Sequence, residues 1–287
     1  MHLSHITKTA ALGLVFALGA CTKPAPEAPK TTAASEPASV ASAPASVAAP
    51  ERTIRFGSDA TYPPFESTAA NGEIIGFDID LAKAMCEEMK AKCTFTNQNW
   101  DGIIPALQAK KYDVIASSMS VTPDRAKVVL FTQMIWSTPS LFVGKTGSTL
   151  DTTPAGLKGV DLGVQQGTVQ DTYATKHFPD AKIKRYKSIE DAINDLGTGR
   201  LKAVFADGGV VTHLVDGSSP DKGFESVGTP VPNSADEDIL GAGTAFAVRK
   251  EDTALADELN KAFDAIRANG TYKTLADKYF KFEVYNK

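Results

Sequence analysis

The sequence predicts an α/β protein of two lobes, each a mostly parallel sheet flanked by helices. Short apolar runs of strand length alternate with segments whose apolar residues recur at helical spacing. That alternation is the signature of parallel sheets covered on both faces. It occurs twice, over about 53–138 and 141–235, and two further helical segments follow, placed to return to the first lobe. The division expected is therefore 52–138 with 239–287 for lobe 1 and 139–238 for lobe 2. Crossings near Ser137–Ser140 and Ser234–Leu240 would form the hinge. A hydrophobic content of 43% is enough to build such cores. The net charge of −4 leaves no basic excess to neutralise phosphates, which argues against a nucleic-acid partner.

Ahead of the folded region lies a leader. Lys8 precedes the apolar run Ala10–Ala20, which is too short to span a bilayer as a helix. The run ends in Leu18-Gly19-Ala20-Cys21, which resembles a bacterial lipoprotein cleavage box. That resemblance implies removal of residues 1–20 and a lipid on Cys21 that anchors the chain to a membrane. Thr22–Glu51 holds 10 Ala, 6 Pro and 4 Ser among its 30 residues and no aromatic, so it cannot bury a core and reads as a disordered linker. Export implies an oxidising compartment, in which Cys86 and Cys93 are expected to pair. As zinc ligands they lack two further partners; no metal and no cofactor is expected.

The elements follow in order. Thr53–Gly57 alternates as a first strand, and Ser58–Phe65 is a proline-held loop with Phe65 as its floor. Gly76–Leu81 opens a helix with Asp78 as candidate cap. Ile79, Ala82, Met85, Cys86 and Met89 share a helical face. Cys93–Thr96 is the second strand. Trp100-Asp101 precedes a helix carrying Ile103, Ile104 and Leu107. Tyr112–Ala116 is the third strand, and Thr122-Pro123 is a helix start with Arg125 in its first turn. Thr153-Pro154 repeats that signal after the strand Leu141–Val143. Strands are expected over Val160–Val164, Lys182–Tyr186 and Ala203–Ala206, with helices running to His177, over Ile189–Leu196 and after Asp207. Thr244–Val248 is the last strand. A helix with Leu255, Leu259, Phe263 and Ile266 on one face ends at Asn269-Gly270, and Thr271–Phe280 is the final helix.

Ligands of open α/β sheets bind at the carboxyl ends of the strands. Asp59, Trp100, Ser117–Arg125, Gln165–Thr168 and Asp207 all fall there. Around Arg125, serine hydroxyls, a guanidinium and free N–H groups at a helix start form a place for an anion, best a carboxylate.

Asp59–Glu66, Gly76–Leu81, Ile104–Leu107, Ser117–Thr122, Arg125 and Gly270–Tyr272 together resemble the extracytoplasmic solute-binding proteins of polar amino-acid ABC importers. The likeness is to the lysine/arginine/ornithine- and histidine-binding members and covers about 52–287. It implies a type II periplasmic-binding-protein-like fold and a monomer that takes a free L-amino acid to permease subunits at the periplasmic side of a membrane. The Cys86–Cys93 pair matches a disulfide of that subgroup. The resemblance implies that Arg125 clamps the α-carboxylate with Ser118, Ser120 and Thr168, and that Asp207 takes the α-ammonium. Asp59, with Ser117 and Asp78, would meet a cationic tip, Tyr62 and Trp100 would sandwich the stem, and Gln170 would line the second lobe. Gln165 stands where those binders have leucine, and Val169 replaces a common threonine. Trp100 with Asp59 favours arginine or lysine over histidine or glutamine. Cyclohexadienyl dehydratases share this fold and form the enzyme alternative.

Overall fold

The computed structural model describes residues 52–284. Cys21, the leader and the linker lie outside the described residues. Strand β1 (Thr53–Ser58) is followed by a small antiparallel meander of β2 (Thr61–Tyr62), β3 (Glu66–Thr68) and β4 (Ile74–Ile75). Helix α1 (Phe77–Glu88), strand β5 (Lys92–Asn97), α2 (Ile103–Gln108), β6 (Val114–Ile115), α3 (Pro123–Ala126) and β7 (Val129–Phe131) complete the first pass. The second lobe carries β8 (Ser140–Lys145), β9 (Asp161–Gln165), α4 (Val169–His177), β10 (Lys182–Tyr186) and α5 (Ile189–Thr198). It continues with β11 (Ala203–Asp207), α6 (Gly208–Val215) and β12 (Phe224–Val231). Helix α7 (Glu237–Leu240) leads back to β13 (Ala247–Arg249), α8 (Thr253–Ala268) and α9 (Thr271–Tyr279).

Each lobe is built on one five-stranded sheet, β5-β1-β6-β13-β7 in the first and β10-β9-β11-β8-β12 in the second. In each, three strands pair in parallel. The fourth runs antiparallel to both neighbours: β13 in one sheet and β8 in the other. These are the strands laid down just after the chain changes lobe, so each enters its sheet from the opposite end. The two crossings are bonded to each other. The Thr244 N–H donates to the Trp136 carbonyl at 2.8 Å, and Asn233 Nδ2 donates to Ser137 Oγ at 3.2 Å.

The first sheet is covered by α1 and α8, whose apolar faces meet around Phe56, Met85, Leu259 and Phe263. Burying side chains of this size contributes roughly 1.5–3 kcal/mol each. A second core centres on Phe142 and Phe205, stacked with centroids 4.4 Å apart. Cys86 and Cys93 form a disulfide that ties α1 to β5.

Three local expectations need correction. Thr153-Pro154 does not start a helix. Asp151 caps the Thr153 N–H at 2.9 Å and Thr153 Oγ1 accepts from Gly156 at 3.2 Å, but the segment stays a run of turns up to Val160. Gly156 and Gly159, the latter at φ 72°, break it before any apolar stripe forms. Asp78 does not cap α1. Gly76, at φ 134°, holds the N-cap position and makes no side-chain bond. The last strand begins at Ala247 rather than Thr244, because Thr244 is spent on isolated bridges to Ser120 and Trp136.

Candidate ligand-binding site

The strand ends of both sheets open onto one cavity, walled by residues of both lobes. From the first lobe it is lined by Asp59, Tyr62, Trp100, Ser117, Ser118, Ser120 and Arg125. Gln165, Thr168, Gln170 and Asp207 line it from the second. Glu66 and Val169 complete the wall. Asp78 is the one predicted site residue that does not reach it.

Arg125 owes its place to α3. Thr122 caps that single turn by accepting from the Arg125 N–H at 3.3 Å, with Pro123 at its first position. The guanidinium donates to the Ser120 carbonyl at 3.0 Å and, across the cleft, to the Gly167 carbonyl at 3.4 Å. It sits 5.0 Å from the Trp100 ring centroid, a cation–π contact. Burial lowers its pKa to about 10, so it remains a cation at neutral pH.

Asp207 faces it from the end of β11. Its carboxylate accepts from the Tyr62 hydroxyl at 2.7 Å and from Gln170 Nε2 at 3.1 Å. Gln170 is held in turn by Ser140 at 3.0 Å. Burial raises Asp207 to about 6, against the opposing pull of Tyr62, Gln170 and Arg125. Thr168 is the N-cap of α4 and donates to the Gln165 carbonyl at 2.8 Å.

Asp59 lies at the end of β1. It accepts from Thr61 at 2.9 Å and from Gln165 of the other lobe at 2.8 Å, and burial raises its pKa. Gln165 also donates to the Lys187 carbonyl at 3.2 Å. Its amide therefore crosses the cleft, which a leucine could not do.

The serine loop is held from below. Ser118 has φ 50°, a left-handed conformation that costs a non-glycine residue free energy. Its N–H donates to Asp78 at 2.8 Å, and Trp136 Nε1 donates to the other oxygen of Asp78 at 2.9 Å. Asp78, raised to about 6 by burial, braces the loop from behind the cavity wall. Phe65 stacks on Trp136 at 4.1 Å as the floor.

Sequence reasoning assigned no role to Glu66. It is 1% exposed and accepts from Ser118 Oγ at 3.1 Å and Ser117 Oγ at 3.4 Å. Burial, and then the charge of Asp78, push it well above the usual carboxylate range. Its sequence signal is its place at the end of the Asp59–Glu66 stretch, next to Phe65. The wall thus carries three carboxylates, Asp59, Glu66 and Asp207, against one guanidinium. Among the described residues no group of His, Cys, Asp or Glu is arranged to hold a metal ion.

Residues 54–282 match the family model of the bacterial extracellular solute-binding proteins, family 3. The chain belongs to this family. It is 43% identical over 242 residues to the L-arginine-binding protein of Pseudomonas aeruginosa, covering 83% of this chain and 91% of that one. It is 42% identical over 234 residues to the histidine-binding periplasmic protein of Salmonella typhimurium, with 81% and 89% covered. A solved structure of a Salmonella typhimurium periplasmic binding protein with high arginine specificity has a TM-score of 0.73 at 35% identity, covering 80% of this chain and all of that one. The cavity between the lobes is the candidate solute site of this family 3 protein.

Proposed function

We propose that this chain captures a basic amino acid, arginine, lysine or ornithine ahead of histidine, by hinge closure and delivers it to the permease of an ABC importer. It would work on the periplasmic side of a bacterial membrane, anchored through lipid on Cys21. The observation that carries the ligand class is the charge of the cavity wall. Arg125, with Ser120 and Thr168, suits the α-carboxylate, and Asp207 suits the α-ammonium. Once both ends of a zwitterion are matched, Asp59 and Glu66 remain. A neutral side chain would leave these buried acids without a cationic partner. A cationic side chain answers them. Tyr62 and Trp100 line the space its aliphatic stem would cross. The arginine- and histidine-binding relatives support the same class.

A thermal-shift screen over the twenty amino acids and ornithine tests this. Ligand at a thousand times Kd stabilises the folded form by about 4 kcal/mol. The expected order puts arginine, lysine and ornithine first, with affinities of micromolar or tighter, about −8 kcal/mol. No stabilisation by any basic amino acid would refute the cationic assignment. Arg125→Ala is expected to abolish binding in calorimetry; near-normal affinity in the folded variant would refute the clamp.

One observation favours a second reading. Glu66 and Asp207 are buried acids with raised pKa, which is what a dehydratase would need in a general acid. Turnover of prephenate or arogenate by the purified protein would establish that reading. Tight binding of free amino acids without such turnover is the outcome expected.

A further inference from the structure

The residues that follow α9, Phe280–Val284, belong to no helix or strand. Yet Phe280 and Val284 are only 6% and 1% exposed. Irregular chain is buried in this way only where its polar groups and side chains find partners. Three contacts supply them, and each reaches a part of the molecule that moves when lobes close. Phe280 packs on Phe65, the floor of the cavity, with centroids 5.3 Å apart. The same ring lies beside the start of α6 in the second lobe, where a Cβ on Gly209 would be 3.6 Å from it. Lys281 pairs with Asp216, the residue that ends α6, at 3.6 Å. The Val284 carbonyl accepts from the Ser137 N–H at 2.7 Å, in the first crossing. Ser137 also bonds the second crossing, since its hydroxyl donates to the Ala242 carbonyl at 3.4 Å.

One segment thus runs from the floor of the cleft, past both ends of α6, to the hinge. The start of α6 is itself tied to the first crossing, where the Gly208 N–H donates to the Pro139 carbonyl at 2.8 Å. A helix of 8 residues spans about 12 Å. The Lys281–Asp216 pair therefore holds the second lobe at a distance from the hinge, where a rotation moves it most.

We propose that Phe280–Val284 is a closure strap, a third and noncovalent link between the lobes whose Lys281–Asp216 pair favours the closed cleft over the open one. The inference rests on the reading of this chain as a binding protein that closes on its solute, and it adds an element outside the cleft. The strap touches no lining residue that would meet a ligand tip, so it acts on every ligand alike through the closed fraction.

A charge swap on the full-length chain tests it. The Lys281 side chain is 74% exposed, so K281E leaves the core untouched. K281E, D216K and the double variant are compared with the wild type. Dissociation of arginine and of lysine is followed by stopped-flow tryptophan fluorescence, and the radius of gyration without ligand by small-angle scattering. Each single variant places like charges together and is expected to speed both dissociations alike, by about two- to fivefold, the range open to an exposed pair. Each should also enlarge the ligand-free radius. The double variant restores the pair and is expected to return the rates to within about 1.5-fold of wild type. Unchanged rates and radii in the single variants would overturn the proposal, as would a double variant that restores neither. A lowered melting temperature with unchanged dissociation would make the segment structural only, and an effect on one ligand but not the other would place it in the site. If D216K does not fold, K281Q, expected between wild type and K281E, decides. A wild type that binds no basic amino acid would remove the ligand assignment, while the ligand-free scattering would still test the strap.

Discussion

Arg125 and Asp207 carry opposite charges on opposite lobes, yet they do not neutralise each other in a direct ion pair. Arg125 is held by carbonyls and Asp207 by a phenol and an amide. Each is positioned while its charge stays available for a ligand group of the opposite sign. In the proposed clamp Asp207 must be ionised to hold the ammonium, and burial has moved its pKa to about 6. Affinity for any amino acid is therefore expected to be flat above pH 7 and to fall by up to tenfold per pH unit below 6. Calorimetry between pH 5 and 8 checks this; a flat profile to pH 5 would separate Asp207 from the ammonium site. At this scale the polar strand-end residues could be read in the sequence, since side chains such as Asp59, Arg125 and Asp207 have few other reasons to follow apolar strands. Glu66 could not. It belongs to a three-residue strand whose pairing with Tyr62 turns it inward while Thr68 faces solvent. Alternation over three residues is too short to show a face. Asp78 was placed at the right helix end, but its partner lies 40 residues on, at the Ser118 N–H.

The start of α6 meets the other lobe through a glycine. A Cβ on Gly209 would lie 2.4 Å from the ring of Phe65, and Phe65 is pinned by Trp136 and Phe280. The ring cannot swing aside, so an added methyl pushes α6 and the floor of the cleft apart. Gly209→Ala is expected to weaken ligand binding tenfold or more while leaving each lobe folded. Small-angle scattering should then show a larger radius of gyration with ligand than the wild type has; unchanged affinity would mean that this contact does not limit closure. The disulfide acts at the same scale but within one lobe. It closes a short loop between α1 and β5, so removing both cysteines should cost roughly 2 kcal/mol and leave affinity unaltered. Elements with a full apolar stripe, such as α8, were legible because burial and periodicity agree there. The Thr153-Pro154 turn shows the converse. Its cap chemistry is genuine, but a cap stabilises a helix only when the residues after it can form one.

The whole molecule concentrates buried acids between its lobes, and this sets how its stability depends on pH. Asp78 and Asp207 are raised to about 6, and Glu66 and Asp59 are raised as well, all chiefly by burial. An acid whose folded pKa exceeds its unfolded value favours the folded state at low pH, and that contribution is lost as pH rises through the folded pKa. The window for Asp78 and Asp207 therefore runs from about 4 to 6. Asp113, Asp195 and Asp236, held down by arginine, lysine and histidine partners, act in the opposite sense only below about pH 4. His213, lowered by burial, opposes the trend as a single group, since the folded state keeps it neutral and gains stability as pH rises towards 6.5. The net expectation for the free protein is a melting temperature that falls between pH 5 and 7.5. Each kcal/mol lost lowers it by roughly 2–4 °C for a domain of this size. A cationic ligand reverses the sign, because it binds the ionised acids and so stabilises most where the free protein is weakest. The ligand-induced shift in melting temperature should therefore grow from pH 5 to 7.5, and Asp207→Asn should flatten the decline of the free protein. If the free protein instead gains stability steadily over that range, its cleft acids are not the groups that set its stability, and the charge held between the lobes is already balanced without a ligand.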